Sequence, residues 1–261
     1  MELLIPSDWA PRLALIFVLL NAVTAVFVGV GFALERTLSH RQIFAIALRP
    51  GQRLRELRNT LVFQLTAALA FTAFTGTDLM PWTSGWTAGW TAGLTTFFAC
   101  WLGFEVFYYA VHRAMHLPGL FRFHREHHES RVNTPLTAFS MSIPESLVWI
   151  AGYIYVPLAL KLLGLEVSLA GWLAYLVYNY WGNILGHVNV EVLPAWVGRR
   201  VHSWTLHAIT FHALHHARYV GHYGFGATFM DRWLASEWKD WPGLHSKVLA
   251  GDALRDFKQR G

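Results

Sequence analysis

The chain has 261 residues, of which 54% are hydrophobic and only 14% are charged, and its formal net charge is +5. Because a soluble domain usually carries about 25% charged residues, this deficit indicates a protein that is exposed to lipid. The basic residues flank apolar segments, which excludes nucleic acid as a partner, and the single cysteine, Cys100, excludes an intramolecular disulfide.

Five stretches are predicted to be helices that span a bilayer, which takes about 20 mostly apolar residues. In chain order they are residues 13–34, 60–75, 90–111, 147–163 and 167–185, of which the second and fourth are short. The sequence therefore predicts an all-α, multi-pass transmembrane helix bundle with four or five spans.

The charges of the connecting segments predict the orientation of this bundle. Residues 35–59 contain six arginines, whereas residues 76–89 contain no lysine or arginine. The positive-inside rule therefore places the first connection in the cytoplasm. Counting forward, residues 113–143 and everything after His187 are also cytoplasmic, including the C-terminus.

Histidines are concentrated in the second half of the chain, where three short clusters contain eight of the fourteen. The clusters are His112-x3-His116, His124-x2-His127-His128 and His212-x2-His215-His216. Histidine is the commonest metal ligand, and helix residues three or four apart face the same way. The clusters therefore predict a metal site, and all of them fall on the predicted cytoplasmic side, in a helical cap on the bundle.

Two polar stripes with helical spacing end at histidines. Glu105 and Tyr109 precede His112 and His116 on the third span, and Asn183 precedes His187 on the fifth. A carboxylate inside a membrane is costly and is a functional candidate. We expect Glu105 to accept a hydrogen bond from a ligating imidazole; the alternative is an ion pair with Arg113 or with an arginine of another helix. His187 is a ninth candidate ligand, and Asn189 and Glu191 are candidate outer partners.

Nine imidazoles are too many for one tetrahedral ion and fit two ions. Iron is the favoured metal for this nitrogen-rich set, with zinc, manganese and copper left open. A pair of redox metals on a membrane face suits activation of O2 and attack on an unactivated C–H bond.

The ordered motifs resemble the fatty acid hydroxylase/sterol desaturase superfamily of membrane-bound di-iron oxygenases. The resemblance rests on the following residues: Glu105-x3-Tyr109-x2-His112-x3-His116, His124-x2-His127-His128, Asn133-x-Pro135, Pro144-Glu145, His187-x-Asn189, His212-x2-His215-His216, Tyr223-Gly-Phe-Gly and Asp231-Arg232. It implies an O2-dependent reaction on a lipid chain or sterol, with two irons held by these histidines. His222 and His207 lie outside the basic pattern and could be further ligands, proton carriers or surface residues.

The resemblance divides the chain into an N-terminal transmembrane region (1–104), a histidine-box domain (105–237) and a C-terminal cytoplasmic tail (238–261). Four residues are expected to orient or support the ligands without binding the metals themselves: Glu105, Tyr109, Asn183 and Asp231. The chain is too short to include a haem domain, so a separate reductase or electron carrier is the expected donor, docking near Arg199, Arg200 and Arg218.

The function that this predicts is a di-iron oxygenase that hydroxylates or desaturates a lipid such as a fatty acyl chain or sterol. The lipid would enter from the bilayer, with Phe121, Phe123 and Phe211 near its tail. One alternative is a zinc-dependent membrane hydrolase with Glu126 or Glu129 as general base. The other is a non-enzymatic metal transporter, which would place its ligands near the middle of the bilayer.

Overall fold

A computed structural model describes residues 6–77, 89–198, 206 and 208–260. The regular secondary structure in these ranges is helical, which confirms the all-α prediction. The α-helices are α1 (Trp9–Thr37), α2 (Gln52–Thr75), α3 (Trp90–Met115), α4 (Phe121–His128), α5 (Ile143–Leu162), α6 (Leu169–Gly186), α7 (Ile209–Arg218), α8 (Phe229–Trp233) and α9 (Trp241–Leu249).

The long helices form a bundle in which α3 packs on α5 and α6, and α2 packs on α1 and α5. Aromatic side chains fill its centre: the rings of Phe104 and Tyr153 stack at 5.0 Å, and Tyr108 stacks on Trp149 at 4.5 Å. The outer surface of the bundle is also apolar, with Phe98 57% exposed. An apolar exterior of this extent is typical of a surface in contact with lipid.

Three helices, α1, α3 and α5, are long and apolar enough to cross a membrane, so the protein is an integral membrane protein. The predicted spans at 60–75 and 167–185 are helical, in α2 and α6, but both helices are less apolar. The first half of α2 carries Glu56, and α6 carries Asn179 and Asn183. Three of the five predicted spans therefore meet the criterion of length and composition.

The bundle has one end at which α3 and α6 stop and α5 starts. The side chain of Ser142 accepts a hydrogen bond from the backbone amide of Glu145, which caps the start of α5. The short helices α4, α7 and α8 contact the long helices at this end. A second apolar cluster, separate from the bundle core, lies between α7 and α9.

The segment 238–261, predicted as a tail, contains α9. Trp241, Leu244 and Val248 of this helix are fully buried against α7 and its neighbours. Because α7 carries three of the clustered histidines, the packing of α9 against it helps to hold these histidines in place.

Candidate metal centre

The structure brings all nine predicted ligands together in two groups, each with one nitrogen per ring within 4.8 Å of the others. The five-histidine group contains His112, His116, His124, His128 and His215. The four-histidine group contains His127, His187, His212 and His216. The rings of His128 and His216, from different groups, lie 4.7 Å apart, so the two groups are adjacent.

Neighbouring histidines within one cluster belong to different groups. His124 and His128 lie four residues apart and share the five-histidine group, whereas His127 joins the other. Adjacent residues on a helix point about 100° apart, while residues four apart nearly align. Each H-x2-H-H motif therefore contributes histidines to both groups from a single helix.

The spacing of the nitrogens fits shared metal ions. The Nε2 atoms of His112 and His124 are 3.1 Å apart, and those of His187 and His212 are 3.0 Å apart. Two nitrogens that each lie about 2.1 Å from one ion, at angles between 90° and tetrahedral, are separated by about 3.0–3.4 Å. The Nε2 atom of His116 is buried without a hydrogen-bond partner, which suits a nitrogen that binds a metal.

Backbone carbonyls hold the opposite ring nitrogens in the five-histidine group. The Nδ1 atom of His112 lies 2.9 Å from the carbonyl oxygen of Tyr223, and that of His215 lies 2.7 Å from the carbonyl oxygen of Gly221. Because a carbonyl can only accept, Nδ1 carries the proton in both rings. The Nε2 lone pairs are therefore directed at the centre, which is the arrangement of metal-binding histidines.

The four-histidine group is held in the same way by the segment after α4. His127 Nδ1 is 3.3 Å from the Ser140 carbonyl oxygen, and His216 Nδ1 is 3.1 Å from the Ser130 carbonyl oxygen.

His124 is oriented by a carboxylate. Its Nδ1 atom lies 2.6 Å from Glu145 Oε1, and the indole of Trp149 donates to the same oxygen at 3.1 Å. Glu145 and Trp149 both belong to α5, and Glu145 is buried. The sequence contained Glu145 only as part of a family motif, and the structure provides its physical role.

Five of the clustered histidines that lie outside the long helices have pKa values well below the usual range, which keeps them neutral at physiological pH. Burial lowers the pKa of His116 and His124 to about 3 and that of His127 to about 4. Burial, followed by repulsion from neighbouring imidazoles, holds the pKa values of His128 and His216 well below their usual range. Neutral imidazole is the form that binds a metal.

The predicted hydrogen bond from a ligating imidazole to Glu105 is wrong. The Glu105 carboxylate accepts from the backbone amides of Gly226 at 3.0 Å and Ala227 at 3.2 Å. The alternative ion pair with Arg113 is also wrong, because that guanidinium donates to the hydroxyl of Tyr109 at 2.8 Å. Glu105 instead fixes the segment 221–227, which contains the carbonyls that orient His112 and His215.

Asp231 fixes the same segment from the other side. Its carboxylate accepts from the amides of Tyr223 at 2.8 Å and Gly224 at 2.7 Å, and from the hydroxyl of Ser236 at 2.7 Å. The hydroxyl of Tyr109 is 2.8 Å from that serine hydroxyl. Burial raises the pKa of Asp231 to about 6, against the lowering effect of these hydrogen bonds. Tyr109 and Asp231 thus support the ligands indirectly.

Asn183 contacts the four-histidine group through its backbone. Its carbonyl oxygen lies 2.6 Å from His187 Nδ1, while its side chain donates to the Ala138 carbonyl at 2.9 Å. The side chain therefore joins α6 to the segment that follows α4.

Asn189 and Glu191, expected as outer partners of the ligands, hold other parts of the chain. Asn189 donates to the carbonyl of Phe44 at 3.0 Å. Glu191 accepts from the amide and hydroxyl of Thr210, at 2.9 and 2.8 Å, at the start of α7. A carboxylate at a helix N-terminus stabilises the helix, here the one that carries three of the histidines.

Sequence reasoning missed Glu56 of α2, which is completely buried. Its carboxylate accepts from the hydroxyls of Ser130 at 2.6 Å, Thr134 at 2.6 Å and Thr137 at 2.8 Å, and from the amide of Gln52 at 2.8 Å. The Glu56 carboxylate fixes the segment 130–140 in the same way that Glu105 fixes the segment 221–227. It lies among arginines in the sequence, and no periodic signal separates it from a solvated residue.

His222 lies beside the two groups but belongs to neither. Its Nδ1 lies 2.9 Å from the Phe211 carbonyl oxygen, and its Nε2 accepts from the Trp238 amide at 2.9 Å. Its ring stacks on Phe211 at 3.6 Å. Both nitrogens are occupied, so His222 is a structural residue. His207 lies outside the described residues.

Comparison with known proteins agrees with this geometry. The family model for fatty acid hydroxylase matches residues 97–236, which is more than half of the chain. The chain belongs to the fatty acid hydroxylase family. The resemblance deduced from the motifs is confirmed, and membership supports an enzyme with an oxygenase-type role in lipid modification.

Several curated relatives are plant proteins. Very-long-chain aldehyde decarbonylase GL1-4 of Oryza sativa subsp. indica is 32% identical over 130 residues, which cover 49% of this chain and 21% of the relative. Very-long-chain aldehyde decarbonylase CER1 of Arabidopsis thaliana is 27% identical over 159 residues, covering 58% and 25%. The chain thus matches only about a fifth to a quarter of the length of these relatives. No solved structure matches it significantly.

Proposed function

We propose that this protein is a membrane-bound oxygenase that uses O2 and external electrons to hydroxylate a lipid, such as a fatty acyl chain or a sterol. Desaturation is the closely related outcome of the same chemistry. The observation that carries the proposal is the pair of histidine groups at the end of a membrane bundle, directly against an aromatic cavity.

The proposed metals are two irons, one for each group, with the nine histidines as ligands. Nitrogen donors without thiolates suit iron, and the two groups of imidazoles would hold one ion each. Bound there, a pair of redox metals would supply the activation of O2. The carbonyls and carboxylates that hydrogen-bond to the imidazoles or to their neighbouring segments would keep the ligands in place during the reaction.

The proposed substrate site is the narrow cavity between α2, α3, α5 and α6, which has a volume of about 20 Å³ and would have to widen to admit a hydrocarbon chain. Phe104, Tyr108 and Trp149 line it, and His127 reaches into it from the four-histidine group. Aromatic walls exclude water and orient an extended hydrocarbon chain, which has no polar groups to direct it.

This cavity adjoins an apolar groove of about 170 Å³ that opens beside α1. Phe63 and Tyr153 line both spaces and lie where they meet. We infer that a lipid tail passes between these two side chains. Phe211, expected near the tail, instead lies fully buried under His222, outside this path.

We propose further that α2 and α6 also cross the bilayer, giving five spans with the histidines and C-terminus on the cytoplasmic side. The apolar part of α2, residues 60–75, is about 24 Å long, a length that a locally thinned bilayer accommodates. Leu57, Leu61 and Leu65 recur at steps of four on its surface and are 46–49% exposed, as lipid-facing residues would be.

The plant relatives favour a second candidate reaction. Two of them are named very-long-chain aldehyde decarbonylases, so a long-chain aldehyde is an alternative substrate for the same site. Analysis of products from purified protein distinguishes the two: a hydroxylated lipid supports the first, and a hydrocarbon shorter by one carbon supports the second.

The hydroxylase candidate is tested by assaying lipid turnover with and without O2, alongside metal analysis. We expect two irons per chain and turnover that stops when O2 is removed. Stoichiometric zinc with turnover that continues under anaerobic conditions would refute the proposal in favour of the hydrolase. The bases expected for a hydrolase are already engaged: Glu126 accepts from Asn59, and Glu129 pairs with Arg55.

A further inference from the structure

We propose that the cleft beside His116 is the docking site of a small acidic electron-transfer protein. This inference rests on the proposed function. Hydroxylation converts R–H and O2, with two electrons and two protons, into R–OH and water. One oxygen atom enters the new C–O bond, and the other is reduced to water. The two electrons must come from a donor outside the aromatic cavity, because the substrate occupies that side.

The cleft has a volume of about 510 Å³ and leads from the surface to the five-histidine group. His116 and His128 form its floor, and Phe121 and Tyr219 form its walls. The Phe121 ring lies 5.5 Å from the His116 ring, and the Tyr219 ring lies 5.1 Å from that of His128. A protein that covers this opening would contact rings adjoining the proposed ligands.

His116 is the most accessible member of either group. It is partly exposed, whereas the other eight histidines are buried. Its Nε2 atom faces the centre without a hydrogen-bond partner. Since electron transfer slows steeply with distance, an imidazole that reaches both a metal and the surface is the most favourable point of entry.

The rim of the cleft carries positive charge. Arg49 and Arg125 line the cleft, and both are exposed. The one carboxylate on the lining, Glu129, is paired with Arg55 at 3.2 Å, so it does not cancel the two arginines. Complementary charge steers association and fixes orientation, so this rim fits an acidic partner.

Exposed apolar side chains lie next to this charged rim. Val220 lines the cleft and is 62% exposed, and Leu117, directly after His116, is 57% exposed. Apolar residues within a polar rim are the usual composition of a protein–protein interface.

Arg218, expected from the sequence to meet the donor, is unsuitable for that role. Its side chain is only 4% exposed, and its guanidinium pairs with Asp240 at 3.1 Å. Arg199 and Arg200 lie outside the described residues. The structure thus moves the proposed docking surface to the arginines beside His116.

The test uses the full chain, loaded with iron in detergent micelles, and a plant-type [2Fe–2S] ferredoxin as the acidic probe. Reduction of the metal centre by reduced ferredoxin is followed under anaerobic conditions by stopped-flow absorbance, and ferredoxin binding is measured by titration. A small uncharged photoreductant reports reduction that needs no docking. The variants are Arg49→Glu, Arg125→Glu, the double variant, and Arg255→Glu as a control with the same charge change at an exposed site.

We expect each cleft variant to lower the second-order rate of reduction by ferredoxin about tenfold. The double variant should also lose most of the dependence of this rate on ionic strength. Arg255→Glu should behave like wild type, and the photoreductant should reduce all four variants at the wild-type rate, with iron content unchanged.

The proposal is overturned if ferredoxin reduces the double variant at the wild-type rate. It is also overturned if Arg255→Glu lowers the rate of reduction as much as the cleft variants do. A double variant that instead loses binding to anionic phospholipid vesicles, while ferredoxin reduces it normally, would assign the arginines to the membrane surface. If ferredoxin reduces the wild-type protein by this route but no lipid is oxidised, the docking site stands and the proposed function fails.

Discussion

Replacing Glu56 by glutamine tests whether this buried carboxylate positions the four-histidine group. Its oxygens accept four hydrogen bonds from neutral donors, three of them hydroxyls of Ser130, Thr134 and Thr137. The carbonyl of Ser130 in turn contacts His216. Glu56 therefore acts on a proposed ligand through one intervening residue, from a helix outside the region that matches the family model.

The size of the effect follows from these bonds. A hydrogen bond to a charged acceptor is worth about 1.5–3 kcal/mol, against about 0.5–1.5 kcal/mol for a neutral one. Glu56→Gln keeps the shape and the oxygen that accepts from Ser130, Thr137 and Gln52, so weakening these three bonds by about 1 kcal/mol each destabilises the segment 130–140 by about 3 kcal/mol. The new amide nitrogen cannot accept from Thr134, so that bond is lost. Loss of an outer partner usually lowers metal affinity about 10–100-fold, and we expect about tenfold here because the effect is indirect.

The assay is metal stoichiometry during competition with a chelator. Wild-type protein should release both ions over one range of chelator concentration, whereas Glu56→Gln should release one ion at about tenfold lower chelator and keep the other. Glu166→Gln changes an exposed carboxylate and is the matched control. The reasoning is refuted if Glu56→Gln keeps both ions with unchanged affinity, or if both ions are lost together because the whole fold is weakened.

Three further predictions use the same preparation. In Glu105→Gln the side-chain amide faces the backbone amide of Ala227, so two donors meet. We expect the free energy of unfolding to fall by about 1–3 kcal/mol and the ion of the five-histidine group to bind more weakly. Loss of the other ion alone would contradict this. His216→Ala should remove one ion, whereas His222→Asn should keep both and lower only the melting temperature; retention of two ions by the first variant would exclude His216 as a ligand. The metal-free protein should lose stability as the pH falls from about 6.5 towards 4. In this range the histidines of the unfolded chain bind protons at their ordinary pKa, whereas His127 in the folded protein has a pKa of about 4 and stays neutral. A melting temperature that stays constant or rises over that range, measured by scanning fluorimetry, would show that these rings are protonated when folded.

Local spacing predicted the parts of the centre that lie within one helix. His212 and His216 are four residues apart, so any α-helix over them directs both rings to one side. The same rule assigns His215 to a different direction, and the structure places it in the other group. Composition likewise indicated contact with lipid, because the shortage of charged residues does not depend on how the helices pack.

The outer partners were decided by the tertiary structure alone. Glu105 lies on the same helical stripe as His112, yet its carboxylate bonds to Gly226, 121 residues later in the chain. The hydrogen bond between Glu56 and Thr134 likewise joins residues 78 positions apart. A buried carboxylate needs hydrogen-bond donors, but the sequence around it does not predict which of the many amides and hydroxyls will reach it. That choice depends on how the segments 130–140 and 221–227 fold over the end of the bundle, which no helical period encodes.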